Sequence, residues 1–180
     1  MITIQQPAMV LNAITRPQIA EYQMWNTWKV NSGVSAEDII RNCVAVARST
    51  PGLKLKNLVI QCHGAPGQIA IGQGFNCSNV DLFANLRGLV EKIWIVACQP
   101  ALIPSTCVAG NFCFEDGNLF ISEMAQAAHC YVVAPTETQI NRAMVYPFGV
   151  IPSYEGLVLS YDPSGNITWR HRYPSNHQGE

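Results

Sequence analysis

"NLVIQCHGAPG", residues 57–67, decides how this chain is read. The run Leu58-Val59-Ile60 is short and apolar, and a Pro66-Gly67 pair punctuates it soon afterwards, so the segment reads as a strand. Its tip is Cys62-His63-Gly64, a titratable ring beside a residue with no side chain. Two later segments have the same character: "KIWIVAC", residues 92–98, and "CYVVAP", residues 130–135. None alternates apolar with polar residues, as strands covered on both faces do in a parallel sheet. Between them lie two helical patterns. Ser78-x-x-Asp81 is read as the cap of the first, with Leu82, Phe83, Leu86, Leu89 and Val90 inward, and Ile121, Met124, Ala125 and Ala128 mark the second. Strand, helix, strand, helix, strand over 57–135 is a pair of βαβ units. Right-handed crossovers make the three strands parallel and bring their carboxyl ends to one edge, where open α/β sheets bind ligands.

The remainder of the chain fits one domain over residues 1–180. A further helix opens at Ser35-Ala36-Glu37-Asp38, runs through Ile39, Ile40, Cys43, Val44 and Ala47, and stops at Pro51-Gly52. The stretches 1–6 and 8–14 read as short strands, and residues 17–30 as a helix from Pro17 with Trp25 and Trp28 on one face. Residues 68–72 form a short extended segment. The C-terminal stretch 156–173 reads as a β-hairpin turning at Asp162-Pro163-Ser164-Gly165.

Composition narrows the function classes. Apolar residues make up 48% of the 180 and charged residues 13%, which describes a compact core and not a disordered chain. Net charge is -1, and the one basic cluster is Arg170-His171-Arg172. That excludes a phosphate-tracking surface, so no nucleic-acid partner is expected. No apolar run reaches the ~20 residues of a spanning helix, and the N-terminus lacks a signal-peptide pattern. Synthesis in a reducing cytoplasm is the expectation, with export lacking a cleavable signal left open. Seven cysteines include no C-x-x-C pair. Cys107, Cys113 and His129 lack the usual zinc spacing, so neither a metal nor a cofactor is expected, and a Cys107–Cys113 disulfide would need an oxidising compartment.

In the parallel arrangement His63 lies just past the end of one strand and Cys98 at the end of the strand reached by the next crossover. An imidazole beside a thiol is a base beside a nucleophile. The backbone of Gly64 can approach a substrate carbonyl, and its N–H with that of Cys98 suits an oxyanion hole. By strand alternation, Cys62 packs on the face opposite His63. The His-Gly pair also occurs in α/β-hydrolase esterases, but the chain has no G-x-S-x-G elbow. Glycines 67, 72 and 74 match neither a Walker nor a Rossmann pattern.

An apolar strand ending in His63-Gly64, followed by one ending in Ala97-Cys98, resembles the caspase-like (clan CD) cysteine peptidases, which include caspases, legumains, clostripain-like and gingipain-like enzymes and self-processing domains of bacterial toxins. The resemblance covers roughly residues 57–135. It implies a three-layer α/β/α fold with a mainly parallel sheet and a catalytic dyad of His63 as general acid/base and Cys98 as nucleophile, with Gly64 in the oxyanion hole. The substrate would be a protein or peptide, and the chain's size fits a bacterial effector or toxin-type member. Val96-Ala97-Cys98-Gln99-Pro100 departs from the caspase Gln-Ala-Cys-Arg-Gly, so cleavage after aspartate is not expected. Glu115 and Asp116, in the loop after the nucleophile, are read mainly as a turn or helix cap and secondarily as the wall of a pocket for a basic side chain. A non-catalytic caspase-like module that binds a partner protein and a cysteine amidase or acyltransferase using the same dyad are the alternatives.

Overall fold

The computed structural model describes residues 1–15, 20–104, 116–140 and 142–174. Seven strands form one mixed sheet: β1 (Ala8–Ala13), β2 (Asn26–Val30), β3 (Asn57–Gln61), β4 (Lys92–Val96), β5 (Tyr131–Pro135), β6 (Gly156–Tyr161) and β7 (Ile167–Tyr173). Their order across the sheet is β7-β6-β5-β4-β3-β1-β2. The five strands from β2 to β5 are mutually parallel, while β6 runs antiparallel to β5 and β7 to β6. The chain steps from β1 outward to β2, then returns past β1 through helix α1 (Ala36–Ser49) to β3. The direction of winding thus reverses between β1 and β3, and such a reversal opens a crevice at the strands' carboxyl ends.

Local chemistry explains these elements. The Ser35 hydroxyl accepts from the Asp38 N–H at 3.1 Å and donates to the Asp38 carboxylate at 2.8 Å, closing the first turn of α1. Ile39, Ile40, Cys43 and Ala47 form its buried stripe. Helix α2 (Gly117–Ala128) is capped by the Asp116 carboxylate, which accepts from the Leu119 N–H. It ends on His129, in the left-handed region at φ 50°. β3 is buried at all five positions, as a strand covered on both faces should be. The hairpin β6–β7 turns where the sequence places it, with the Gly165 N–H donating to the Asp162 carbonyl at 2.8 Å.

Three expectations are revised. Residues 17–30 do not form a helix where they are described. Glu21–Gln23 and β2 are strands, and alternation along β2 sends Trp28 and Val30 toward the core while Thr27 and Lys29 point away. The three-residue spacing of Trp25 and Trp28 suits a helical face, but Trp25 lies in the bend between the two strands and only Trp28 is in β2. Pairing of Trp28 with Leu11 in β1 satisfies the backbone as sheet. Residues 80–86 form a 3-10 helix, Val80–Leu86, and Ser78 does not cap it, because the Ser78 N–H and hydroxyl both turn back to the Asn76 side chain. The layers are also unequal. The buried apolar side chains of α1, α2 and the 3-10 helix all join one core cluster, on the face of Leu58, Ile60, Ile93 and Ile95. The opposite face, with Val10, Val59 and Val96, is covered by Ile4, Tyr22, Met24, Ile151 and Tyr154 from short strands and loops. Among the described residues the sheet therefore carries helices on one side only, and the fold is mixed α/β dominated by sheet.

No helix among the described residues is long and apolar enough to cross a membrane.

Candidate active site

The carboxyl end of β3 runs directly into a tight hairpin. His63–Ala65 pairs antiparallel with Gln68–Ala70, with Gly64 opposite Ile69. Gly67 takes φ 75° at the turn, a conformation glycine adopts at no steric cost. On the neighbouring strand, β4 ends at Val96, and Ala97-Cys98 follows. The two tips are in register, since Gln61 pairs with Val96 and the Cys62 N–H donates to the Val96 carbonyl at 3.3 Å.

Gly64 is where the tips touch. A Cβ built on it would stand 2.8 Å from the Cys98 carbonyl oxygen, 2.9 Å from the Ala97 Cβ and 3.4 Å from the Cys98 nitrogen. Any side chain would collide with backbone, so the glycine is required by close approach. A second tie, from the Gly67 N–H to the Pro100 carbonyl at 3.3 Å, clamps the hairpin to the loop after Cys98. His63 is thereby held beside the Cys98 end of the next strand, with its side chain exposed. Cys62 goes to the other side. It is 1% exposed within the helix-side core, where burial pushes its thiol up to about 12. Cys62 is a bend between β3 and the hairpin, so strand alternation does not run through it, but its burial and the exposure of His63 still separate the two side chains.

The Cys98 thiol is half-buried in a cradle of main chain. The Gln139 N–H donates to Sγ at 3.5 Å, and Sγ donates to the Gln139 carbonyl at 3.7 Å. Gln139 itself is anchored by its side chain: Nε2 donates to the carbonyls of Glu137 at 3.0 Å and Glu155 at 2.9 Å, and Oε1 accepts from the Glu155 N–H at 2.9 Å. Gln99, the residue after the thiol, sits at φ 58°, a left-handed backbone unusual outside glycine, and its N–H donates to the Glu137 carbonyl at 3.2 Å. The sequence carries no signal for the Gln139 contact, which comes from a loop 41 residues away.

Beneath the site lies an oddity. Gln61, the last residue of β3, is fully buried, and neither amide atom has a hydrogen-bond partner. Its register neighbour Asn12 exchanges two hydrogen bonds with the backbone of Tyr22, both at 2.9 Å. A buried amide with nothing to bond costs its full desolvation, about 1–3 kcal/mol.

Of the residues proposed to line a substrate pocket, Asp116 has its carboxylate engaged as the N-cap of α2. Glu115 lies outside the described residues, as do Cys107 and Cys113. Among the described residues no group of His, Cys, Asp or Glu is placed to hold a metal ion.

Compared with known proteins, the chain matches no family model, no curated protein and no solved structure.

Proposed function

We propose that this protein is a cysteine peptidase of caspase-like type, using Cys98 as nucleophile and His63 as general acid/base. The observation that carries the reading is the contact of Gly64, the residue after His63, with the Cys98 backbone at the carboxyl edge of two parallel strands. Supporting it are the main-chain cradle at Sγ and the left-handed residue that follows the thiol.

In the reaction, His63 takes the Cys98 thiol proton, and the thiolate attacks a peptide carbonyl carbon. The N–H groups of Gly64 and Cys98 hold the resulting oxyanion. His63 then gives its proton to the leaving amine as the C–N bond breaks, leaving a thioester on Cys98. Water, deprotonated by His63, hydrolyses the thioester and regenerates the thiol. No step needs a cofactor. The substrate is a protein or peptide.

A positional peptide library incubated with the purified protein, followed by mass spectrometry, tests this reading. Cleavage that disappears in Cys98→Ala and in His63→Ala is expected. Cleavage that persists in Cys98→Ala would remove the mechanism. Rapid alkylation of Cys98 with hydrolysis of small amides, but no peptide cleavage, would assign the same dyad to an amidase. A slow-reacting Cys98 and no turnover would leave a binding module.

A further inference from the structure

A second site lies at the other end of the same strands, on the sheet face without helices. One row of residues crosses four strands in register there: Trp94 on β4 pairs with Val133 on β5, Val133 with Ser160 on β6, and Ser160 with Trp169 on β7. Two small side chains thus form a floor between two indoles. Tyr131 and Tyr173 add rings to the walls of a cavity of about 380 Å³, a size suited to a small ligand. The rings are held in place: the Trp94 indole N–H donates to Asn57 Oδ1 at 2.7 Å, and Trp169 stacks on His171 at 5.5 Å. Trp169 and Tyr131 remain 44% and 45% exposed, so the walls stand open to a visitor.

Lys92 gives the cavity its charge. Its ammonium lies 5.2 Å from the centre of the Trp94 ring and 6.0 Å from that of Tyr131. Every other Lys54, Lys56 or Glu91 charge nearby is engaged in a shared ion pair, whereas Lys92 makes none among the described residues. A half-buried cation at an aromatic wall, with no carboxylate to neutralise it, complements an anion attached to a ring.

We propose that this cavity binds a small planar aromatic ligand carrying an anionic group, its ring seated between Trp94 and Trp169 and its charge on Lys92. The site is separate from the Cys98 edge. Lys92 opens β4 and Cys98 follows its end, which at strand rise puts them about 20 Å apart.

Isothermal titration of the full chain with 2-naphthoate, and with the neutral 2-naphthamide, tests the assignment. The naphthoate should bind saturably and the amide about tenfold more weakly, the worth of one charge-assisted contact. Trp169→Ala, on an exposed edge strand, should abolish binding of both compounds with little change in thermal unfolding. Lys92→Met should equalise the two affinities, and Cys98→Ala should leave both untouched. Absence of saturable binding, equal affinities in the wild type, unchanged binding by Trp169→Ala, or loss of binding in Cys98→Ala would each overturn the proposal.

Discussion

The backbone of Gly64 lies against that of Cys98, so that a methyl group on the glycine would stand 2.8 Å from the Cys98 carbonyl oxygen. Neither neighbour can yield cheaply, because the atoms met are the Cys98 main chain and the Ala97 Cβ, which is fixed to it. Gly64→Ala should cost about 1–3 kcal/mol, the usual penalty for overpacking. It should also lower turnover in the fraction that remains folded, by pushing Cys98 away from His63. Urea unfolding and activity per folded molecule measure the two effects. A variant as stable and as active as the wild type would show that the strand tips are farther apart than described.

The two cysteines near the site should behave oppositely. Cys62→Ala removes a buried apolar group and should lose about 1 kcal/mol or more of stability, with near-normal turnover. Cys98→Ala should keep the fold and lose turnover, since no neighbouring group replaces a thiolate. Thermal unfolding and peptide cleavage on the purified variants decide it. The reverse pattern would place the nucleophile on the wrong strand.

Gln139 is expected to be a positioning residue. Gln139→Ala removes the amide that ties its loop to Glu155 and so loosens the cradle around Sγ. The rate of iodoacetamide alkylation at Cys98 should change together with kcat, whereas KM for a short peptide should stay close to normal. An unchanged alkylation rate with an altered melting temperature would reduce Gln139 to a structural role.

Gln61→Leu should stabilise the protein. The substitution removes a buried amide that bonds to nothing and leaves a side chain of similar volume, a gain of about 1–3 kcal/mol. Chemical denaturation measures it. A destabilised variant would mean that the amide has a partner in solution.

Alkaline pH should weaken the fold. Burial pushes the thiols of Cys43, Cys62 and Cys130 up to about 12 from an ordinary 9.0. The folded chain keeps these protons while the unfolded chain releases them, so the stability they contribute is whole below about pH 9 and drains away as pH climbs toward 12. Melting temperature followed from pH 8 to pH 11 should fall throughout the upper part of that range. At neutral pH the same three thiols should resist iodoacetamide until denaturant is added, while Cys98 is labelled in the native protein. Labelling of Cys62 ahead of Cys98 would contradict the burial that separates them.

The features legible before the structure are those whose physics is local. Continuous apolar runs marked β3, β4 and β5. A capping serine marked α1, and Asp162 to Gly165 marked the hairpin turn. Cys62 and His63 did come apart as expected, one buried and one exposed, but not by parity, since β3 ends at Gln61 and Cys62 is a bend. The crossover order was enough to bring His63 and Cys98 to one edge. Residues 20–30 were not legible, because the three-residue spacing of Trp25 and Trp28 suits a helical stripe, and the choice of strand was made by pairing with β1, a partner outside the window. Nor was the one-sided helix layer, which depends on how loops fold over Tyr22 and Tyr154. Gln139 at the thiol, unpartnered Gln61 and the row from Trp94 to Trp169 share one cause. Each is a meeting of segments distant in sequence, made by sheet order and invisible to periodicity.

The cradle around Cys98 also has a bearing on biosynthesis. Gln139 follows Cys98 by 41 residues, and at 5–20 residues per second a ribosome needs roughly two to eight seconds to add them. Until the Gln139 segment has itself emerged and docked, the sulfur has no main-chain contact to hold it. A nascent chain therefore carries an exposed, unrestrained thiol before it carries an organised one, and electrophiles or disulfide partners met during translation would find it in that state.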